Sequence, residues 1–104
     1  MLTDKCKKDF ETWLDTHPIA PYKAIFWDVP LIVQHSYLIQ FFDSIEIYIN
    51  TSYLECTIPF IWEILRNGKI VAKCNSEDME SVVNNTRLEA TTAALEKANE
   101  IYNK

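Results

Sequence analysis

A single glycine, Gly68, follows Asn67 between two apolar runs, LECTIPFIWEILR before it and KIVAKC after it. Asn-Gly in that position is the strongest short-range hairpin signal, because a type I′ turn needs positive φ at both central residues. A chain that uses glycine once has placed it where no other residue serves as well. The expectation is an antiparallel strand pair over 54–66 and 69–75. A two-residue loop sets Arg66 opposite Lys69, Leu65 opposite Ile70, Ile64 opposite Val71 and Trp62 opposite Lys73, with the Lys73 stem along the indole. In that register Cys74 faces Ile61 and falls on the opposite face from Cys56, so no bridge joins them unless a bulge shifts the parity.

Leu54, Cys56, Ile58, Phe60, Trp62 and Ile64 share one strand face, and Glu55, Thr57 and Glu63 the other. Pro59 removes a ladder donor and marks an edge, bulge or bend. Upstream, Ile45, Ile47 and Ile49 alternate with Glu46, Tyr48 and Asn50, the period of a half-buried strand over 45–50, with a turn at 51–53. Adjacent hairpins then force a three-stranded antiparallel sheet of order 1-2-3 with strand 2 central.

The helical segments collect around this sheet. Cys6, Phe10, Trp13 and Leu14 recur at helical spacing after Thr3, and His17-Pro18 closes that helix. Residues 19–29, punctuated by Pro18, Pro21 and Pro30, read as a connector with aromatic plugs at Tyr22, Phe26 and Trp27, a short extended piece over 23–27 included. Pro30 suits a first helical turn. Behind it Leu31, His35, Leu38, Ile39 and Phe42 form one stripe, widened by Ile32, Val33, Tyr37 and Phe41, and Asp43-Ser44 ends it. Residues 75–85 are polar and acidic and read as a loop with one helical turn. Thr86-x-x-Glu89 is a capping box that opens a last helix, with Leu88, Ala94, Leu95, Ala98, Ile101 and Tyr102 at helical spacing. The fold class expected is α+β, α-α-β-β-β-α, as a single domain over 1–104.

Charge and chemistry narrow the function classes. A net charge of −5 disfavours wrapping a polyanion. Three cysteines lack the even count and spacing of a disulfide or zinc framework and read as reduced thiols. The N-terminal run has no apolar core of signal-peptide length and no segment approaches a membrane span, so a cytoplasmic protein of a bacterial host cell is expected.

Two stretches, TRLEATTAALEKANEIYN and VPLIVQHSYLIQFFDSIEI, resemble small proteins encoded by phages and prophages of gut bacteria. The helix, antiparallel sheet and closing Ala-rich helix are similar to the phage ABA sandwich family, although the Gly-rich, Trp-containing hairpin of that family is missing. The resemblance implies a viral or mobile-element origin and an α-β sandwich, and transfers no catalytic residue.

Candidate site residues divide by chemistry. His35 lies on an apolar stripe without the HxxE, HExxH or Cys-His spacing of a catalytic or metal site, and reads first as a core histidine with one hydrogen bond. His17 reads as a cation at a helix C-terminus. Glu46, Glu55 and Glu63 offer cross-strand carboxylates for acid/base work, against the plainer reading of a solvated sheet face, which also covers Glu77, Asp78 and Glu80. Arg66, Lys69 and Lys73 make a basic hairpin tip, a candidate nucleic-acid contact with Tyr48 or Tyr53 as a stacking partner, or a solubilising tip.

Three Trp, five Tyr and five Phe are many for a core of this size. Either helices cover both sheet faces and consume them, or Tyr37, Phe41, Tyr48, Tyr53 and Trp62 serve as interface anchors. No cofactor or metal is implied. The leading expectation is a non-enzymatic interaction or accessory protein of phage or mobile-element origin, with a host or phage protein partner and homodimerisation through an edge or the second helix. A nucleic-acid accessory factor and a small carboxylate enzyme are the alternatives.

Overall fold

The computed structural model describes residues 2–16, 25–53, 60–73 and 86–104. Helix α1 spans Asp4–Asp15, a 3-10 turn spans Phe26–Asp28, and helix α2 spans Leu31–Ser44. Strands β1 (Ile47–Tyr53), β2 (Phe60–Arg66) and β3 (Lys69–Lys73) follow, and helix α3 (Arg87–Asn103) closes the fold. The sheet is antiparallel in the order β1-β2-β3, so the α+β arrangement α-α-β-β-β-α stands as read.

α2 packs on β1, α3 packs on β1 and β2, and α1 lies against α2 and α3. Ile47, Trp62 and Ile64 point into this helix layer and are buried, with Ile49 and Ala72 packed at its margin. Helices therefore line one sheet face among the described residues, not both. The aromatic surplus goes into a cluster beneath α1 instead. The Phe10 ring meets Phe26 at 5.0 Å, Phe41 at 5.4 Å, Trp13 at 5.9 Å and Trp27 at 6.1 Å between centroids. The Phe26 and Phe41 contacts are edge-to-face and the Trp13 contact is stacked, and aromatic pairs in such arrangements add about 0.5–1.5 kcal/mol each beyond area burial.

Several boundaries move, each for a local reason. Glu46 does not belong to β1. It adopts φ 61° in the turn that ends α2, where its N–H donates to Asp43 O at 3.1 Å. Glycine or asparagine usually fills such a left-handed closing position. The 51–53 turn is instead the end of β1, because Thr51, Ser52 and Tyr53 pair with Trp62, Ile61 and Phe60. Ile25 to Trp27 form a turn, not an extended piece.

In α2 the buried face is Gln34, His35, Leu38, Phe41 and Phe42, while Leu31 is exposed and Ile32 is 71% exposed. The face rotates because the Gln34 amide donates to Trp27 O at 3.1 Å and Val29 O at 2.9 Å, tying the 3-10 turn to the helix. In α3, Leu88 is exposed, and buried Thr91 and Asn99 complete the stripe of Ala90, Ala94, Leu95 and Ala98. The Thr86 hydroxyl accepts the Glu89 N–H at 3.1 Å, as the capping box requires.

α1 is held by α3 in a way that no stripe pattern announces. The Asn103 carbonyl oxygen accepts the Cys6 N–H at 2.9 Å, and its amide donates to Thr3 O at 3.0 Å. Asn99 accepts the Thr3 N–H and donates to the Thr3 hydroxyl, each at 3.1 Å. A side chain normally satisfies the first N–H groups of its own helix. Here the last helix does that work for the first. Beside this clamp, Tyr102 donates to Asp9, which also accepts from Lys5 at 2.6 Å. The Lys5 ammonium and the Tyr102 hydroxyl both hold the Asp9 carboxyl below its ordinary value.

Candidate interaction surface

The hairpin builds the surface. Asn67 and Gly68 adopt φ 55° and 75°, the two positive values that a type I′ turn demands. Arg66 lies opposite Lys69 and Leu65 opposite Ile70, as the loop length requires. Beyond them the register shifts: Ile64 faces Ala72 and Glu63 faces Lys73, so Val71 is the extra residue of a β-bulge. The bulge overturns the expected pairs of Ile64 with Val71 and Trp62 with Lys73. Lys73 now opposes a carboxylate instead of an indole.

With the helix layer on one side, the pleat sends alternate residues to the other. Tyr48 on β1, Leu65 on β2 and Ile70 on β3 are directly aligned and form an apolar row across all three strands. Tyr48 is 45% exposed, Ile70 54%, and Val71 at the bulge 47%. The next row is polar, Asn50, Glu63 and Lys73. Arg66 and Lys69 stand exposed at the hairpin tip on the register of Ile47, and on the open face Lys73 and Glu63 border the apolar row.

The structure separates the other sequence candidates. Phe41 is 3% exposed and Trp62 8%, so both are core residues and neither is presented at the surface; each is drawn in because its face meets the helix layer. Tyr37 is half-buried against the core. The Tyr53 side chain, Glu55, His17, Pro18, Tyr22 and Pro59 lie outside the described residues. So do Cys56, Cys74 and the acidic run over 75–85.

His35 is 4% exposed, its Nε2 sits 3.1 Å from the Thr92 hydroxyl, and burial lowers its pKa. This is a core histidine with a hydrogen bond, in line with the plainer sequence reading. It borders an open, mostly apolar cavity of about 230 Å³ between α2 and the start of α3, together with Ile32, Ile39, Arg87, Leu88 and Thr91. Neither Glu46 nor Glu63 reaches that cavity: Glu46 is in the α2–β1 turn, and Glu63 is on the opposite face of the sheet from the helices. Among the described residues, Glu46, Glu63 and His35 are therefore not assembled into one acid/base site.

Cys6 is fully buried, and burial pushes its thiol up to about 12. Among the described residues, no three His, Cys, Asp or Glu side chains converge as a metal site, and no helix is long and apolar enough to cross a membrane.

The described residues thus define a small α+β fold with helices on one sheet face and none on the other. No family model, curated protein or solved structure matches it.

Proposed function

We propose that this chain is a non-enzymatic accessory protein, of phage or mobile-element origin, that works by binding another protein through the open face of its sheet. The observation that carries the reading is the row Tyr48, Leu65 and Ile70, with Val71 beside it, left on the face away from the helices while Ile47, Ile49, Trp62 and Ile64 turn toward them. Apolar surface rimmed by polar groups is the composition of an interaction patch. The assignment to a mobile element rests on the resemblance of the C-terminal helix and the α2 region to small phage-encoded proteins.

The test is affinity capture from the native host with tagged wild-type chain beside a Tyr48→Ser/Ile70→Asp variant, with light-scattering mass of each. A protein captured by the wild type, lost with the sheet variant and kept by Ile32→Asp on the helix side supports the reading. Capture indifferent to both variants refutes it. A dimer that the sheet variant splits would make the partner a second copy.

Arg66 and Lys69, opposed at the exposed tip, favour one other reading, a nucleic-acid accessory factor. It predicts retention of DNA or RNA that fades steeply with salt and is abolished by Lys69→Glu.

A further inference from the structure

Among the described residues, the outer edge of β3 is unpaired and carries a cation at each end. β3 is an outer strand, five residues long, with Lys69 at one end and Lys73 at the other. Two copies of β3 paired antiparallel would bring two lysines from each strand to one short edge, an excess of like charge that opposes self-pairing. The same lysines favour a strand that carries carboxylates. We propose that β3 is a receptor edge for an extended acidic segment of another protein, which adds as a fourth strand.

This rests on the reading of the sheet as a protein-binding element and names the chemistry of the partner. The backbone supplies the affinity common to any added strand. In a two-residue hairpin, Lys69 bonds back to Arg66, so the next residue, Ile70, turns its N–H and C=O toward the open edge. The side chains supply the selection. Ile70 and Val71 are about half exposed at the centre of the edge, and the lysines bracket them. An incoming strand with carboxylates flanking β-branched residues matches this order of charge, apolar surface and charge.

The chain's own charge of −5 opposes an acidic ligand at long range. Screening over about 8 Å at physiological salt leaves the nearby lysines in control. The bulge at Val71 limits the regular ladder on its inner side, so affinity should be modest and strongly salt-dependent.

The probes are three fluorescein-labelled decapeptides: Glu alternating with Val and Thr, the same peptide with Lys for every Glu, and the Glu peptide with two central prolines. Fluorescence anisotropy should show saturable binding of the Glu peptide alone. Lys69→Gln/Lys73→Gln, at two exposed positions and without setting a second carboxylate against Glu63, should weaken it by at least about tenfold, and two-dimensional NMR should show protection of the Ile70 amide on binding. Equal binding of the proline peptide, or of an oligothymidylate or anionic vesicle at matched charge, would overturn the proposal, because strand addition would not be involved. An Ile70 amide already protected in the free chain would also overturn it. A captured protein that depends on Tyr48 but not on Lys69 and Lys73 would sink this inference and leave the sheet-face reading standing.

Discussion

Replacing Asn103 by alanine should loosen the first helix, although the change lies at the opposite end of the chain. The Asn103 side chain caps the Cys6 N–H at 2.9 Å and donates to Thr3 O at 3.0 Å. Loss of a helix cap costs about 1 kcal/mol. The second bond adds roughly 0.5–1 kcal/mol, at the low end of the range because half-exposed Asn103 lets water replace part of it. The total is about 1.5–2 kcal/mol, a sizeable share of the roughly 5–15 kcal/mol that holds a domain together. For a chain of this size the melting temperature should fall by roughly 6–12 °C.

Urea unfolding followed by tryptophan fluorescence is a suitable assay, since Trp13 sits on α1 beside Phe10 and Phe41. Glu96→Ala, on the exposed side of α3, is the control and should stay within about 0.5 kcal/mol of wild type. Thr3→Ala and Asn103→Ala share partners, so the double variant should lose less than the sum of the two. An Asn103→Ala variant that matches the control, or strict additivity with Thr3→Ala, would refute the clamp.

Other outcomes follow from the same structure. Burial lowers the His35 pKa below the ordinary histidine value of 6.5, so the unfolded chain binds the proton first as pH falls. The His35 contribution is complete above that value and declines as pH drops through it toward the folded pKa, and His35→Gln should flatten the urea midpoint between pH 7.5 and 5. Gly68→Ala meets no atom within 4 Å but must hold φ 75°, so it should cost about 1–2 kcal/mol from backbone strain alone, read as a lower urea midpoint. Glu46→Gly removes a left-handed non-glycine residue and should raise the unfolding free energy by up to about 1 kcal/mol, read as a higher urea midpoint. Cys6, buried and with its thiol near 12, should resist iodoacetamide in the native chain and react on unfolding, as peptide mass spectrometry would show.

The elements legible in the sequence were those whose signal is local. Asn67-Gly68, the alternation through Ile47 and Ile49, the Cys6/Phe10/Leu14 stripe and the Thr86/Glu89 cap each act within one turn or strand, and each forms as read. What escaped is what depends on two distant segments. The Val71 bulge changes the partner of Lys73, and nothing within KIVAK marks it. Gln34, Asn99 and Asn103 look like surface amides until the carbonyls and N–H groups they serve are brought beside them. Asn99 and Asn103 do stand four apart on one side of α3, a faint sign that the stripe continues past Ala98 in polar form.

The surface suffered most from this limit. An aromatic count cannot distinguish Phe41 and Trp62, which fill the core, from Tyr48, which faces outward, because the choice follows from which sheet face the helices take.

The asparagine clamp also bears on how the chain is made. α1 is made before α3, and the groups that complete its opening turn lie 96 residues further along the chain. A helix of twelve residues is marginal by itself in water. Phe10 meets Phe26 and Phe41 before α3 is made, but the polar seat at Thr3 and Cys6 is completed only when α3 docks. Closing so long a loop is slow. Truncation within the final turn should therefore be felt first at the N-terminus, as a helix that no longer finds its seat.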